Sequence, residues 1–278
     1  MPHALLEYIV DGDPTLDSSD TIVLLHGFPD NPALWKQTSE HLQKSGYRVV
    51  RIALPGFETQ STPPIQPAVI HTFDQTIERL HATLLHTNAH GGTLLGHDWG
   101  AIFIYKLITL YPNAAKRIIC LEIGGAPKSL ILTVIVLLYQ GLLTLGHALG
   151  PGLGDALVRM VCILFRRPSY ENQLNPTSEH AWLYWRAWRE GSCHGPWIFN
   201  HRNEIARWRP PGKTPFLFLY GNTGLKALRF HSPQWQDSVT KTSPPSRATG
   251  IPGRHWFMLE TPDAFYEELD SFLEESTQ

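Results

Sequence analysis

The stretch that decides the fold is Gly92-Thr93-Leu94-Leu95-Gly96-His97-Asp98-Trp99-Gly100, in which an apolar run ends in two glycines that flank Asp98. Glycines at these positions let the backbone turn sharply, so that the central side chain stands on an exposed corner. Residues 101–110 follow with the length and apolarity of a helix. The pattern therefore predicts a strand, a tight turn that presents a carboxylate, and a helix.

An aspartate at the centre of this turn selects a particular chemistry. A serine at such a position attacks carbonyl groups. A carboxylate is a poor catalyst of ester or amide hydrolysis, because the mixed anhydride that it forms gains little, but it can open an epoxide or displace a halide from saturated carbon. Asp98 therefore predicts an alkyl ester on the enzyme that water then splits. The alternative is an acidic turn residue without a catalytic role.

Strand and helix patterns alternate along the first part of the chain. Strand-like runs lie at residues 4–10, 21–25, 47–54, 92–95 and 117–123, and helical patterns lie at residues 35–44, 72–86 and 101–110. Continuous apolar strands are typical of a parallel sheet that is covered on both faces. The sequence thus predicts an α/β fold with a mostly parallel central sheet flanked by helices.

The alternation stops after residue 123 and resumes with strands at residues 215–221 and 247–251 and a helix at residues 263–275. Residues from about 125 to 210 contain helical patterns, many tryptophans and no convincing strand. We interpret this part as an inserted helical cap. The predicted domains are a core of residues 1–124 and 211–278 and a cap of residues 125–210.

The composition favours a soluble globular enzyme. A chain of 278 residues can bury a large core, and its formal net charge of −2 gives no reason to expect nucleic acid as a partner. Cys120, Cys162 and Cys193 are an odd number without Cys-x-x-Cys spacing, so we expect no disulfide framework, no metal and no cofactor. The first residues lack a basic region followed by an apolar core, which favours a cytoplasmic location without a signal peptide.

One apolar stretch, residues 130–149, approaches the roughly 20 residues that a membrane span needs. Gln140, Gly141, Gly146 and His147 interrupt it, and a span here would split the α/β unit. We interpret the stretch, with the apolar residues 158–165, as cap helices that cover a substrate pocket. Association of these helices with a membrane surface is the alternative.

Three motifs carry a family resemblance: His26-Gly27-Phe28-Pro29, Gly96-His97-Asp98-Trp99-Gly100 and Gly253-Arg254-His255-Trp256. Together they resemble the α/β-hydrolase fold in its epoxide hydrolase and haloalkane dehalogenase branch, over nearly the whole chain. The resemblance implies that the backbone N–H groups of Phe28 and Trp99 form an oxyanion hole around Asp98. It also implies that His255 is the general base that activates water.

The resemblance leaves two positions for the acid that orients His255. Many relatives carry an aspartate a few residues beyond the Tyr-Gly that ends the strand here at Tyr220-Gly221, but this chain has Gly224 there. A subset of the branch carries the acid at the end of the strand after the nucleophile helix, where Glu122 stands. A carboxylate that ends an apolar strand is costly unless it is paired, so we assign Glu122 to this role. The alternative is an incomplete triad, with Glu122 in a salt bridge.

The cap residues bear on the choice of reaction. Epoxide hydrolases of this branch usually present two cap tyrosines, one within a Tyr-Arg-Ala-like segment, whereas this chain reads Trp182-Leu183-Tyr184-Trp185-Arg186-Ala187-Trp188. Trp185 takes the expected tyrosine position, and Tyr184 lies roughly 100° away on a helix. An indole N–H donates to an oxyanion or a halide but cannot deliver a proton as a phenol does. We name Trp185, Tyr184 and, as a further cap donor, His147 as candidate substrate-binding residues.

Dehalogenases of the branch commonly bind the leaving halide through the tryptophan after the nucleophile and a second donor, either an asparagine at the position of Phe28 or a cap tryptophan. Trp99 matches the first donor, and Phe28 removes the asparagine. The second donor would then be one of the cap tryptophans: Trp182, Trp185, Trp188 or Trp197.

The Phe28-Pro29 motif favours an epoxide hydrolase that acts on a small apolar or aromatic epoxide with water as the second substrate. A haloalkane dehalogenase and a non-catalytic ligand-binding member of the fold are the alternatives. We expect a monomer or a homodimer.

Overall fold

A seven-stranded sheet lies at the centre of the computed structural model, which describes residues 4–59, 72–124, 130–190, 214–223, 230–241 and 245–276. The strands are β1 (Tyr8–Asp11), β2 (Thr21–Leu25), β3 (Arg48–Ile52), β4 (Gly92–His97), β5 (Ala115–Leu121), β6 (Phe216–Gly221) and β7 (Arg247–Ile251). Their order is β1-β3-β2-β4-β5-β6-β7, and all neighbours pair in parallel except β1 with β3. The predicted mostly parallel sheet is confirmed.

The apolar strands are buried because helices cover both faces of the sheet. Every residue of β2 and of β4 is buried. Val23 and Leu25 of β2 join the core on one face, whereas Ile22 and Leu24 join the core on the other, as the alternation of side chains along a strand requires. This double burial explains why these strands read as continuous apolar runs rather than as alternating ones.

The helices are α1 (Lys36–Lys44), α2 (Phe73–His86), α3 (Trp99–Leu110), α4 (Leu130–Leu149), α5 (Leu153–Leu164), α6 (Trp182–Glu190), α7 (Pro233–Thr240), α8 (Phe257–Glu260) and α9 (Pro262–Glu275). Thr72 caps α2, because its side chain accepts from the Gln75 N–H while the Gln75 side chain accepts from the Thr72 N–H. Short 3₁₀ helices precede β2, α1 and α6.

The first strand is shorter than predicted. We expected a strand at residues 4–10, but it begins at Tyr8. The backbone N–H of the buried Leu6 donates to Thr83 Oγ1 of α2 at 3.0 Å, and this bond holds the chain outside the sheet before β1. Local apolarity did not distinguish a residue that packs on a helix from one that pairs in the sheet.

The described residues between β5 and β6 form helices and no strand. Residues 150–152 join α4 to α5 in a helical hairpin, and both α5 and α6 pack against α4. Residues 125–129 and 191–213 lie outside the described residues, so the predicted domain limits stay a prediction. No helix in the described parts of the chain combines the length and the apolarity that a membrane crossing requires.

Candidate active site

Asp98 stands on the turn between β4 and α3, in the left-handed region of backbone conformation with φ +52°. This conformation costs a residue with a side chain about 1–3 kcal/mol, so the surrounding packing must hold it in place. A Cβ atom at Gly96 would lie 2.7 Å from the carbonyl carbon of Gly100, and one at Gly100 would lie 2.5 Å from the Leu25 carbonyl oxygen. Both glycines are therefore needed for α3 to start directly against β2 and β4.

Two backbone N–H groups point at the Asp98 carboxylate. The Phe28 N–H donates to Asp98 Oδ2 at 3.1 Å, and the Trp99 N–H also bonds the carboxylate. The loop that carries Phe28 comes so close that a Cβ atom at Gly27 would lie 2.5 Å from Asp98 Cβ. The structure thus brings Phe28, Trp99 and Asp98 together as the resemblance implied, and the Phe28-Pro29 bond is cis.

Burial raises the pKa of Asp98 above its usual value, and it outweighs the lowering by His255 and by the Trp99 and Phe28 N–H groups. The side chain is nevertheless 13% exposed, on the side that faces a cavity. Asp98 is therefore a poorly solvated carboxylate with one open side, which suits attack on an apolar molecule.

His255 lies between Asp98 and Glu122. Its Nδ1 atom is 3.4 Å from Glu122 Oε2, and its Nε2 atom is 3.9 Å from Asp98 Oδ1. Because an ionised carboxylate only accepts, this geometry assigns the proton to Nδ1 and leaves the Nε2 lone pair on the side of Asp98. The three side chains that were predicted to act together therefore lie in a row, with His255 between Glu122 and Asp98.

Glu122 follows the last residue of β5, where φ of +71° turns its side chain toward His255. Its Oε1 atom accepts from the Gly221 N–H at 2.5 Å, and its own N–H donates to the Leu219 carbonyl at 2.9 Å. The residue is only 5% exposed, so its carboxylate is buried but paired. Gly224, at the alternative acid position, lies outside the described residues.

The net effect of the site is to raise the pKa of His255 above its usual value. Burial alone would lower this pKa, but the hydrogen bond and the charge of Glu122, followed by the charge of Asp98, outweigh burial. His97 holds the backbone of the same residue, because its Nε2–H donates to the His255 carbonyl at 2.9 Å. Burial keeps the pKa of His97 well below its usual value, so His97 is a neutral donor.

A cavity of about 470 Å³ opens in front of Asp98 and His255. Its walls are mainly apolar and aromatic, and they combine the loops at the carboxyl ends of the strands with helices α4, α5 and α6. The described residues of the wall on those helices and just beyond α5 are Tyr139, Leu143, Val161, Cys162, Leu164, Phe165, Arg166 and Tyr184. Such a pocket with a few convergent polar groups is the usual form of a small-molecule site.

Two phenols line this cavity, Tyr139 from α4 and Tyr184 from α6. Their ring centroids lie 6.0 Å apart, and the Tyr184 ring packs edge-on against Phe28 at 5.1 Å. Burial and the charge of Asp98 raise the pKa of both hydroxyls, so both stay protonated. The Trp99 side chain also hydrogen-bonds the Tyr184 hydroxyl, and only its indole N–H can donate. The hydroxyl that accepts this bond keeps its own proton to give elsewhere.

Trp185 and His147, the other two cap residues predicted to bind substrate, are not among the described residues of the cavity wall. The centroids of the Trp185 and His147 rings lie 5.6 Å apart, and the Arg189 guanidinium lies over the Trp185 ring, 5.7 Å from its centroid. His147 Nδ1 is 2.8 Å from the Ser178 carbonyl. The cavity side of α6 is one residue earlier, at Tyr184, because the packing of α6 against α4 sets the rotation of the helix.

Sequence reasoning missed Tyr139. It stands inside an apolar run, where a tyrosine reads as a core residue. The adjoining Gln140 was the available signal, since an amide in such a run calls for a polar neighbour, and its Nε2 lies 3.5 Å from the Tyr139 hydroxyl.

A buried carboxylate, Asp30, joins three parts of the molecule next to this site. It accepts from Trp256 Nε1 at 2.8 Å, from Arg167 Nε at 3.1 Å and from the Tyr170 hydroxyl at 2.9 Å. Asp30 follows the Phe28-Pro29 loop, Trp256 adjoins His255, and Arg167 follows α5. This network was also missed, because its members are far apart in the sequence.

Comparison with known proteins now assigns the family. The alpha/beta hydrolase family matches residues 22–268, which include every side chain of the site. The chain belongs to the alpha/beta hydrolase family. Among curated relatives of this alpha/beta hydrolase, mouse epoxide hydrolase 3 is 23% identical over 280 residues, which cover 91% of this chain and 70% of the relative.

Solved structures share the architecture of this alpha/beta hydrolase. A thermophilic esterase from Thermogutta terrifontis is 17% identical, with a TM-score of 0.67 over 98% of this chain and 94% of that one. The haloalkane dehalogenase DatA from Agrobacterium tumefaciens is 18% identical, with a TM-score of 0.64 over 97% of this chain and 92% of that one. The resemblance to epoxide hydrolases and haloalkane dehalogenases is confirmed at the level of the fold, and the choice between reactions falls to the residues of the site.

Proposed function

We propose that this alpha/beta hydrolase is an epoxide hydrolase that forms an alkyl ester on Asp98. The observation that carries the proposal is the pair of phenols, Tyr139 and Tyr184, in the wall of the cavity that Asp98 faces. Opening an epoxide leaves a negative charge on its oxygen, and two neutral O–H donors can share that charge and supply a proton. The proposed cap would thus supply the electrophilic half of the site, and the core would supply the nucleophilic half.

In the first proposed step the Asp98 carboxylate attacks a carbon of the epoxide. A carbon–oxygen bond forms to Asp98 while the ring carbon–oxygen bond breaks, and its electron pair goes to the epoxide oxygen. Tyr139 and Tyr184 hydrogen-bond this oxygen, and one of them gives it a proton, which water later returns to the phenol. The N–H groups of Phe28 and Trp99 hold the other carboxylate oxygen and orient the attack.

In the second proposed step water hydrolyses the ester. His255 Nε2 takes a proton from water, and the resulting hydroxide attacks the carboxyl carbon of Asp98. Glu122 accepts from Nδ1 and stabilises the imidazolium that forms. The Phe28 and Trp99 N–H groups stabilise the tetrahedral oxyanion. The oxyanion collapses by breaking the bond between the carboxyl carbon and the diol oxygen, which takes the proton from His255 Nε2 as the diol leaves. Asp98 is left with the proton of the attacking hydroxide, and water carries this proton to the phenolate, so that the Asp98 carboxylate and the phenol are both restored.

The cavity wall indicates the kind of epoxide. Leu143, Val161, Phe165 and Phe230 contribute apolar surface, and the volume of about 470 Å³ suits a small molecule. We therefore propose a small apolar or aromatic epoxide as the substrate, with water as the second reactant and without a cofactor.

The dehalogenase alternative depended on indole donors, and the described residues give little support to it. The Trp99 indole N–H bonds the Tyr184 hydroxyl, and the Trp182 indole N–H donates to the Pro55 carbonyl at 2.9 Å. Trp256 is the one tryptophan in the described part of the cavity wall, and its N–H donates to Asp30. Trp197, another candidate from the sequence, lies outside the described residues.

The non-catalytic alternative was motivated by a missing tyrosine and an empty acid position. Tyr139 and Tyr184 in the cavity and Glu122 beside His255 supply groups for both positions. The arrangement therefore supports turnover over ligand binding alone.

The experiment that tests the proposal traps the ester. In the His255→Gln variant, water activation is removed while Asp98 and both phenols remain, so a single turnover should stop at the ester. We expect intact-mass spectrometry to show an adduct equal to the full mass of the epoxide, since no atom leaves when the ring opens. A haloalkane would instead add its own mass less that of the hydrogen halide.

Three controls make the result decisive. The Asp98→Asn/His255→Gln double variant should give no adduct, and peptide mapping should place the adduct of the single variant on Asp98. An adduct from haloalkanes but not from epoxides would replace the proposed reaction by dehalogenation. Binding of epoxides without any adduct, and without diol formation by the unmodified protein, would establish the non-catalytic alternative.

A further inference from the structure

The hairpin of α4 and α5 carries most of the exposed apolar side chains of the described chain. Eleven large hydrophobic side chains are exposed in the described part of the chain, and eight of them belong to the hairpin. These eight are Val134, Leu138, Leu145, Leu149, Leu153, Met160, Ile163 and Leu164. A soluble surface seldom concentrates apolar side chains in this way unless it binds something.

The exposed side chains form a stripe on each helix. The four on α4 follow spacings of four, seven and four residues, which places them within about 60° around the helix axis. Leu153, Met160, Ile163 and Leu164 likewise fall within roughly 100° on α5, opposite the buried Val158 and Cys162. Each helix therefore buries one face against the protein and offers a second apolar face to the outside.

The charges on this part of the chain are positive. Residues 130–166 contain Arg159 and Arg166 but only one acid, Asp155, so their formal charge is +1 in a chain whose net charge is −2. Arg167 is left out of this sum because it pairs with the buried Asp30. Asp155 is bound by the Ser178 N–H and hydroxyl. Arg159 and Arg166 are exposed beside the apolar stripe of α5. An apolar face with cationic neighbours is complementary to an anionic phospholipid surface.

The apolar stripe continues into the mouth of the cavity. Leu164 is 68% exposed and also lines the cavity, and Phe165 and Arg166 follow it in the wall. The outer surface of α5 and the entrance to Asp98 are therefore one continuous apolar path. Such a path is what a lipid-dissolved molecule needs to reach the site without crossing water.

We propose that the α4–α5 hairpin docks this protein on the surface of anionic phospholipid membranes, with the exposed stripes in the acyl-chain boundary and Arg159 and Arg166 among the headgroups. The two helices lie in the plane of the membrane and do not cross it. Delivery of an apolar epoxide from the bilayer to Asp98 is a corollary that rests on the proposed function, whereas docking itself does not.

The test is flotation of the full chain with vesicles of phosphatidylcholine alone and with vesicles of phosphatidylcholine mixed with the anionic lipid phosphatidylserine. We expect binding to the anionic vesicles, weaker binding to the neutral ones, and a loss of part of the binding at high salt. The Asp98→Asn variant should bind the vesicles as well as the unmodified protein does, since Asp98 takes no part in docking. Failure of docking and failure of the proposed chemistry are thus measured separately.

Matched variants locate the contact. Leu138→Gln/Ile163→Gln removes one exposed side chain from each stripe and should weaken binding at least tenfold. Leu85→Gln/Leu110→Gln changes side chains of similar exposure on α2 and α3 and should leave binding unchanged. Arg166→Gln should weaken binding to anionic vesicles about fivefold and leave binding to neutral vesicles unchanged.

Circular dichroism and thermal melting of each variant should match the unmodified protein, since every substituted side chain is exposed. An equal loss of vesicle binding in Leu138→Gln/Ile163→Gln and in Leu85→Gln/Leu110→Gln would overturn the assignment of the hairpin as the contact. No flotation of the unmodified protein, together with a dimer in light scattering that Leu138→Gln/Ile163→Gln dissociates, would overturn membrane docking and assign the stripes to a second copy of the chain.

Discussion

Glu122 is the residue on which the electrostatics of the site depend. Its Oε1 is fixed by the Gly221 N–H, so Oε2 has one direction left, toward His255 Nδ1. The side chain is 6% exposed, and solvent therefore screens the interaction weakly. A buried carboxylate that is held at one oxygen and paired at the other can raise the basicity of a histidine without itself taking the proton.

We predict that Glu122→Gln lowers the pKa of His255, because the hydrogen bond and the charge of Glu122 are what raise it against burial. Water activation requires neutral His255, so the acid side of the kcat profile should move to lower pH in the variant. Hydrolysis of the Asp98 ester should slow by about 10²–10⁴-fold, since the glutamine no longer stabilises the imidazolium. Rates of diol formation measured from acid to neutral pH check both effects.

A second glutamate provides the control for this prediction. Glu260 accepts from the Arg254 N–H at 2.8 Å, one residue from His255, but it does not contact the imidazole. Glu260→Gln should leave the acid side of the profile in place. If Glu122→Gln slows the reaction without moving that side of the profile, Glu122 positions His255 sterically rather than through its charge.

At the scale of elements, two helices from different parts of the chain each bring one phenol to the cavity. We predict that Tyr139→Phe and Tyr184→Phe each slow ester formation by about 10²-fold, because one of two donors to the epoxide oxygen is lost. The double variant should be slower than either single one. Rapid quench and intact mass in the His255→Gln background measure this step without interference from hydrolysis.

Tyr111→Phe is the matched control, since the Tyr111 ring stacks on His81 at 3.7 Å and is not among the described residues of the cavity wall. It should leave the rate of ester formation unchanged. An unchanged rate in the Tyr139→Phe/Tyr184→Phe variant would show that neither phenol assists ring opening.

Most strands of the sheet could be predicted from sequence because turns flank them and because the residues of β2 to β6 are almost all buried, which makes these strands continuous apolar runs. Residues 247–251 were predicted as a strand and form β7, and residues 21–25 form β2. The turn at Asp98 could be predicted for a related reason, since few residues other than glycine fit beside it. Such features depend on local chemistry, and local chemistry is what a single sequence carries.

The placement of the helical side chains could not be predicted in the same way. Tyr184 and Trp185 differ by one residue, or roughly 100° around a helix, and the tertiary contacts of α6 decide which of them meets the cavity. Tyr139 reads as core until α4 is packed over Asp98. Sequence motifs therefore predict Asp98, His255 and the oxyanion-hole residues, whereas the positions of Tyr139 and Tyr184 depend on how the helices pack.

At the scale of the whole molecule, Asp30 connects the loop of the oxyanion hole, the loop of His255 and the segment after α5. The Arg167 and Asp30 side chains are 7% and 0% exposed, so this ion pair is buried. Breaking a buried pair by removing one partner costs more than the pair contributes, because the remaining charge is left in a poorly solvated place. The Trp256 and Tyr170 donors would still bond Asp30, but they carry no charge to balance it.

We predict that Arg167→Met lowers the free energy of unfolding by about 3–5 kcal/mol, and that Asp30→Asn/Arg167→Met is less destabilised than the sum of the two single variants. Urea unfolding measures both. Lys36→Met is the control, because the Lys36–Glu171 pair is 2.6 Å long but 45% and 69% exposed, and its loss should leave the free energy of unfolding nearly unchanged. If the losses in free energy of unfolding at Asp30 and Arg167 were additive, the two side chains would stabilise the molecule independently. The segment after α5 and the His255 loop would then not be connected through this pair.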